Sequence, residues 1–457
     1  VYKRQGDAGW FDTAVYEGAG LRPGMTLAGP LLVEELTTTV LVGPEGELEV
    51  DQTGNFSIFS RSGPSAASAQ VARGRSAIEP LAVGRSAEDV DQLLDPVVLS
   101  LMQNRLDQIS RHMGWVMTRT ARSTIFSQSH DFSCFITDPQ GTLIANADGI
   151  PIHTSGGGFA ARAIVSTWGD RIRRDDVFIL SDPYVAGGNH LPDWVVGRPI
   201  FHAPAADSTV DPDDPNEGWQ LIGFCCNRAH QSDIGGGLAG TYNPEATEIW
   251  QEGIRLPVMK LYDRGEVRED LWQLLLINSR TPELLDGDLL AMVGSTNIGG
   301  ERVAALADEL GLTSYFAHLD GILDHADRRM REAIAALPDG HYVGEDLSDN
   351  DCFEPVDTWI RLDLTVEGDE MVLDFSRSDP QMRGFKNSSL ANTYSAAYLA
   401  LSSFFDPANP RNEGTYRGCR IIAPEGTIVN ALPPAPMTMN TVFVAHEIVH
   451  AVWKALA

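Results

Sequence analysis

Apolar positions along the chain change their period several times, and each change marks an element. From Asp95 onward, Val98, Leu101, Met102, Leu106, Ile109, Met113, Val116 and Met117 recur mostly at three- and four-residue spacing, the pattern of an amphipathic helix. Asp95 can cap it, and Pro96 suits its first turn, where a missing backbone donor costs little. Val303, Leu306, Leu310 and Leu312 predict a second helix, and a third is expected from Phe316 to Leu337, stopped by Pro338-Asp339-Gly340. Short unbroken apolar runs read instead as buried strands: Cys134-Phe135-Ile136, Val177-Phe178-Ile179-Leu180, and Leu221 to Cys226. Alternation from Trp359 to Val366 and from Met371 to Phe375, around the turn Glu367-Gly368-Asp369, predicts a hairpin. No repeat of fixed period is present, which argues against a solenoid or a propeller.

Residues 1 to 60 alternate apolar stretches with turn signals such as Gly43-Pro44-Glu45-Gly46 and include the β-branched run Thr37-Thr38-Thr39-Val40, so a small β-rich unit is expected. Residues 61 to 94 shift to Ser, Ala, Gly and Arg with few large side chains and read as a linker. Asp207 to Gly218 is acidic and Pro-bearing, the composition of a surface insertion. The expected fold class is therefore α+β, with mixed helices and sheets over residues 95–457 preceded by a β-rich fragment.

A length of 457 residues calls for more than one domain. The balance of 34 Lys and Arg against 63 Asp and Glu gives a formal charge of −29, which repels phosphate backbones and anionic bilayers, so neither nucleic acid nor a membrane is expected as a partner. No apolar run approaches the roughly 18 residues that a spanning helix requires. The five cysteines, Cys134, Cys225, Cys226, Cys352 and Cys419, are odd in number and form no C-x-x-C pair, which points to a reducing cytoplasm rather than a disulfide framework. The chain begins at Val1 without Met and ends at Ala457 inside a helical pattern, so a fragment of a longer protein is expected.

Candidate chemistry concentrates after two of the strands. Val177 to Leu180 delivers the chain into SDPYVAGGNHLPD, Ser181 to Asp193, where Asp182, Asn189, His190 and Asp193 crowd onto a loop loosened by Gly187-Gly188. Leu221 to Cys226 delivers it into Asn227-Arg228-Ala229-His230-Gln231-Ser232-Asp233, again with glycines following. The pair H-x-x-D occurs in both, as His190/Asp193 and His230/Asp233, and an imidazole beside a carboxylate suits a divalent cation. A polar loop whose Asp and Asn side chains merely bond their own backbone is the plainer alternative. Asp131, at the entrance of the strand around Phe135, would need a cation or several donors if it pointed inward. His153 precedes Gly156-Gly157-Gly158, which reads as an ordinary turn into a helix.

His446-Glu447-Ile448-Val449-His450 matches H-E-x-x-H, so a zinc peptidase is a hypothesis from another class. Only seven residues follow His450, so no downstream third ligand is available within this chain, and an amphipathic helix with structural or surface histidines is the favoured reading.

Taken together, His130-Asp131-Phe132-Ser133, Asp182-Pro183-Tyr184, Gly188 to Asp193, Arg228-Ala229-His230, Asp233 to Gly236, Glu252-Gly253-Ile254-Arg255 and Pro424-Glu425-Gly426-Thr427 resemble the hydantoinase B/oxoprolinase family. Residues 10 to 59 resemble the C-terminal end of a hydantoinase A component, through Leu21-Arg22-Pro23-Gly24, Gly29-Pro30 and Glu34-Glu35. The resemblance implies domains at 1–60 (the end of a hydantoinase A-like component), 61–94 (linker) and 95–457 (a C-terminally truncated catalytic domain). It also implies the metal-dependent part of an ATP-dependent hydrolase of cyclic amides, 5-oxoproline or hydantoins, with an acetone-carboxylase-like subunit as the alternative. A divalent metal, Zn or Mn, is expected on His190, Asp193, His230 and Asp233, with Asp131 and His153 as catalytic candidates. ATP and Mg would be used by the missing hydantoinase A portion, and a homo- or hetero-oligomer is implied.

Overall fold

The computed structural model describes residues 2–6, 9–34, 39–42, 46–51, 56–60, 94–147, 149–154, 156–203, 218–406 and 409–457. The expected linker, apart from Leu94, the expected insertion, apart from Gly218, and the predicted turn at 43–45 lie outside the described residues. The chain divides into two units, one within residues 1–83 and one within 84–457.

Among its described residues the first unit is strand and turn with one short 3-10 segment, Gly18–Gly20, in keeping with its alternation. Tyr2–Gly6 (β1), Gly9–Glu17 (β2), Leu31–Glu34 (β4) and Thr39–Val42 (β5) form one sheet. Thr26–Ala28 (β3), Gly46–Val50 (β6) and Phe56–Ser60 (β7) form another. Leu31, Val33, Val42, Leu48 and Val50 make its small core.

The second unit is built around a seven-stranded sheet. Its strands are Phe132–Thr137 (β8), Leu143–Asn146 (β9), Val177–Leu180 (β10), Asp193–His202 (β11), Gln220–His230 (β12), Met259–Asp263 (β13) and Glu266–Val267 (β14), in the order β14-β13-β10-β11-β12-β8-β9. Every neighbouring pair is antiparallel. Both faces are covered, which is why the inner strands read as unbroken apolar runs. One face packs on Pro96–Thr120 (α1), Pro282–Leu310 (α3) and Leu312–Ile334 (α4) through Met113, Trp194, Val196 and Met292, among others. The opposite face packs on Gly157–Trp168 (α2) through Phe135, Ile164, Val195 and Phe224.

A second sheet carries Gly340–Ser348 (β15), Thr358–Glu367 (β16), Glu370–Asp374 (β17) and Cys419–Ile422 (β18), with β17 and β18 parallel. It packs on Leu390–Phe404 (α5) and Phe443–Leu456 (α6). The architecture is α+β, as expected, and the predicted hairpin is the β16–β17 pair.

α1 starts where its pattern says, with the Val97 amide donating to Asp95 Oδ1 at 2.8 Å. Three boundaries differ from expectation. β12 runs on through Asn227 to His230 instead of ending at Cys226, so His230 is the last residue of a strand and not part of a loop. α3 begins at Pro282, some twenty residues before its clear apolar spacing. Its first half is studded with small residues that dilute the pattern, and they allow close packing: a Cβ on Gly299 would lie 2.5 Å from Met113 Sδ and 2.9 Å from Cys225 Sγ. α4 starts at Leu312, directly after Gly311 at φ +74°, and not at Phe316. All five cysteines are free thiols, and burial pushes Cys134 and Cys419 up to about 12, so they act as packing groups. Among the described residues no helix is long and apolar enough to cross a membrane.

Candidate metal centre at the end of the β11–β12 pair

Sheet register brings the two motifs together. Asp193, the first residue of β11, sits directly opposite His230, the last residue of β12. Because strand residues alternate, both point to the side that carries Val195, Arg228 and Cys226. His190 reaches the same spot from the loop before β11. That loop is shaped by Asp182, whose Oδ1 accepts the Tyr184 and Val185 amides at 2.8 and 3.0 Å while Oδ2 takes Arg255 Nε at 2.5 Å. Gly188 is required there, since a Cβ would fall 1.9 Å from the Ser181 carbonyl oxygen.

Asp193, His190 and His230 are all buried, and one ligand atom from each lies within 4.8 Å of the others. His190 Nε2 is 2.8 Å and His230 Nδ1 3.3 Å from the same oxygen, Asp193 Oδ1. The hydrogen bonds on the far side of each ring assign the protons. His190 Nδ1 meets the Thr438 carbonyl at 2.5 Å, and a carbonyl can only accept, so Nδ1 is protonated and Nε2 of the neutral ring is bare. His230 Nε2 meets Thr241 Oγ1 at 3.0 Å, and that hydroxyl gives its single proton to the Gly240 carbonyl at 2.7 Å. Nε2 of His230 is therefore placed to donate, and in the neutral ring Nδ1 is the bare nitrogen. In their neutral forms both rings turn a lone pair toward one carboxylate oxygen, an arrangement that a cation between them satisfies. The polar atoms that face His190 Nε2 and Asp193 Oδ2 belong to this cluster: Asp193 Oδ1 lies 2.8 Å from the first and His153 Nε2 3.1 Å from the second. Two imidazoles and a carboxylate are a donor set for Zn or Mn, so the residues fit a divalent cation.

In the absence of an ion the charges of the cluster hold one another, the carboxylate favouring protonated imidazole. Burial pushes the Asp193 carboxyl up, but His153 and His190 outweigh it and hold it well below the usual carboxylate range. Burial pulls His190 down, yet Asp193 and the Thr438 carbonyl raise it overall.

His153 and Asp131 flank the group. His153 Nε2 lies 3.1 Å from Asp193 Oδ2 and 3.7 Å from Asp131 Oδ1, and Asp131 is one-third exposed while His153 is buried. Arg228, fully buried, donates from Nη1 to the His153 carbonyl and to Asn189 Oδ1, both at 2.9 Å, tying the neighbours of the site to β12. Gly156 accepts from the same guanidinium through its carbonyl and sits against Ser395, so the glycine run serves close packing.

Asp233, expected as a fourth ligand, is not brought into the group. Its Oδ1 accepts the Gly235 and Arg280 amides at 3.1 and 3.0 Å, and Oδ2 pairs with Arg280 Nη1 at 3.0 Å. With its lone pairs committed to this clamp, it organises the loop after β12 instead. Glu252, which the sequence offers only within the motif Glu252-Gly253-Ile254-Arg255, has a part in the site. It is buried beneath His190, where Oε2 and Oε1 accept the Met437 and Thr438 amides at 2.9 and 2.7 Å and so fix the carbonyl that orients the ring. Burial pushes its carboxyl up to about 7. A lone Glu in a glycine turn gave no sign of this, because its partners lie more than 180 residues on.

The H-E-x-x-H residues form no comparable group. On α6 His446 and His450 are exposed, His450 Nδ1 is held by Asp346 Oδ2 at 2.7 Å, and Glu447 turns inward away from solvent.

Comparison with known proteins follows the same boundary. The hydantoinase B/oxoprolinase family model matches residues 95–457. The caprolactamase beta subunit of Pseudomonas jessenii is 32% identical over 364 residues, covering 79% of this chain and 60% of that subunit. The crystal structure of that ATP-dependent caprolactamase superposes with a TM-score of 0.72 over 79% of this chain and 60% of the matched chain. 5-Oxoprolinase 1 of Arabidopsis thaliana is 25% identical over 476 residues, 99% of this chain but 35% of the plant protein. A nucleotide-free acetone carboxylase structure shares the fold, with a TM-score of 0.71 at 19% identity over 81% of this chain and 49% of its own. The chain thus spans less than two thirds of the relatives it matches, and it belongs to the hydantoinase B/oxoprolinase family.

Proposed function

We propose that this chain is the metal-dependent part of an ATP-dependent hydrolase that opens cyclic amides such as 5-oxoproline or a hydantoin. The observation that carries the reading is the pair of bare imidazole nitrogens facing one buried carboxylate. His190 through Nε2, His230 through Nδ1 and Asp193 hold a divalent cation, Zn or Mn. When bound, the cation supplies Lewis-acid polarisation of a substrate oxygen. Asp193 completes the donor set and offsets the charge of the ion, Glu252 and Thr438 aim His190, and Arg228 anchors the backbone of His153. His153, between Asp193 and the partly exposed Asp131, moves a proton between the reacting centre and solvent.

An unstrained amide resists attack because resonance stabilises its carbonyl. Transfer of the ATP γ-phosphoryl group to the carbonyl oxygen removes that resonance. Overall, cyclic amide, ATP and two waters give the ring-opened amino acid, ADP and phosphate. That activation belongs to a hydantoinase A portion, with Mg, in a homo- or hetero-oligomer. Residues 1–60 are the end of such a portion, a reading supported by the alignment to 5-oxoprolinase 1 over 99% of the chain. Residues 61–94 then link it to the catalytic domain at 95–457. The acetone-carboxylase alternative has less support, since that likeness stands at 19% identity against 32% for the caprolactamase subunit.

The test is metal analysis of the purified chain, followed by assay with ATP, Mg and 5-oxoproline or a hydantoin, alone and after adding a separately expressed hydantoinase A component. One bound dication and turnover only on mixing are expected. Turnover by this chain alone would overturn the division of labour.

A further inference from the structure

We propose that Thr241 is a positioning residue that locks His230 in its cation-holding tautomer, an inference that rests on the metal centre proposed above. Thr241 is buried and lies at φ +68°, a left-handed conformation that is a true outlier for a β-branched residue and that Gly or Asn would adopt with less strain. A strained residue persists only where its surroundings hold it there. Here the surroundings are explicit. Asp233 Oδ2 accepts the Gly240 amide at 3.4 Å and Arg280 Nη1 at 3.0 Å, while Arg280 Nη2 donates to the Gly236 carbonyl at 2.7 Å. This clamp closes the loop over the end of β12 and presents the Thr241 hydroxyl to His230 Nε2 at 3.0 Å. The Tyr242 ring stacks on His230 at 5.6 Å between centroids, fixing the plane in which that hydrogen bond forms.

What the strain secures is a hydroxyl whose proton is already committed to the Gly240 carbonyl, so that only its lone pair faces the ring. Nε2 must then carry the hydrogen and Nδ1 must stay bare toward Asp193. An alanine at 241 removes this constraint and relieves the β-branched clash, so a merely structural role and a tautomer-fixing role predict opposite signs.

The experiment compares the wild-type chain with Thr241→Ala, Thr241→Val and Thr241→Ser. Zn2+ affinity is measured by competition with a chromophoric chelator, and thermal unfolding is followed without metal. Thr241→Ala and Thr241→Val are expected to bind Zn2+ about 10- to 100-fold more weakly, the usual effect of losing the partner of a ligating imidazole. Thr241→Ser should stay within about threefold of wild type, and metal-free Thr241→Ala should unfold at the same or a higher temperature. Wild-type affinity in Thr241→Ala, or equal weakening in Thr241→Ser, overturns the role of Thr241 while leaving the metal centre standing. A wild-type chain that takes up no Zn2+ or Mn2+ overturns the centre itself and this inference with it.

Discussion

Two places in this chain set a pair of histidines beside a carboxylate, and they have opposite characters. At the end of the β11–β12 pair, His190 and His230 are buried and each has its outer nitrogen fixed by a backbone carbonyl or a committed hydroxyl, so the inner nitrogens are bare and aimed at Asp193. On α6, His446 and His450 stand in solvent, the only fixed nitrogen is already taken by Asp346, and Glu447 points the other way. The more familiar motif is the one whose side chains do not converge. What distinguishes a donor set from a decorated helix is the hydrogen bond on the nitrogen that does not face the ion.

The sharpest break of that comparison is Asp193→Asn, which keeps the volume and removes the charge. It should weaken Zn2+ binding by more than about a hundredfold, beyond what loss of an outer partner costs, whereas the double change His446→Ala, His450→Ala should leave metal content unchanged by elemental analysis. Loss of one metal equivalent in the double variant would reverse the assignment. Next in size is Glu252→Gln, which puts an amide donor against the Met437 or Thr438 amide and frees the Thr438 carbonyl. A loss of about 10- to 100-fold in metal affinity is expected, read by the same titration.

A smaller effect belongs to α6. Burial pushes the Glu447 carboxyl up from 4.5 to about 7. A raised carboxyl favours the fold while protonated, so its contribution is complete below pH 4.5 and is lost as pH rises through 7. Glu447→Gln, permanently neutral, should therefore be more stable than wild type by about 1–2 kcal/mol at pH 8 and equal to it at pH 4, measured by urea unfolding. Equal stability at both pH values would show that Glu447 is well solvated. The smallest effect is expected for His450→Ala, which gives up an exposed pair with Asp346 and should change stability by less than about 0.5 kcal/mol.

Much of this could be read in advance where the signal is local. The Asp95 cap, the run Val177 to Leu180 and the β16–β17 hairpin depend on neighbours within a few residues, and they stand where periodicity puts them. His190, Asp193 and His230 stand out in the sequence because each comes soon after an apolar run, although β12 itself continues past its run to His230. The rest depends on distant partners. Glu252 acts on Met437 and Thr438, and α3 hides its start because small residues chosen for contact with α1 and β12 carry no hydrophobic period. Asp233 shared the spacing of a ligand but not its surroundings, since Arg280, 47 residues on, claims its lone pairs.

The pairing of β11 with β12 has a practical corollary. Asp193 and His230 are opposite one another at one end of the ladder, while His202 and Gln220 are opposite at the other, with a register shift between Ile200 and Phe201. Nine strand steps, about 30 Å, separate the chemistry from the stretch joining the two strands. A tag or fluorescent label grafted between positions 203 and 219 is therefore expected to leave the Zn2+ titration of the proposed centre unchanged, and it would serve as a handle for immobilising or tracking the protein.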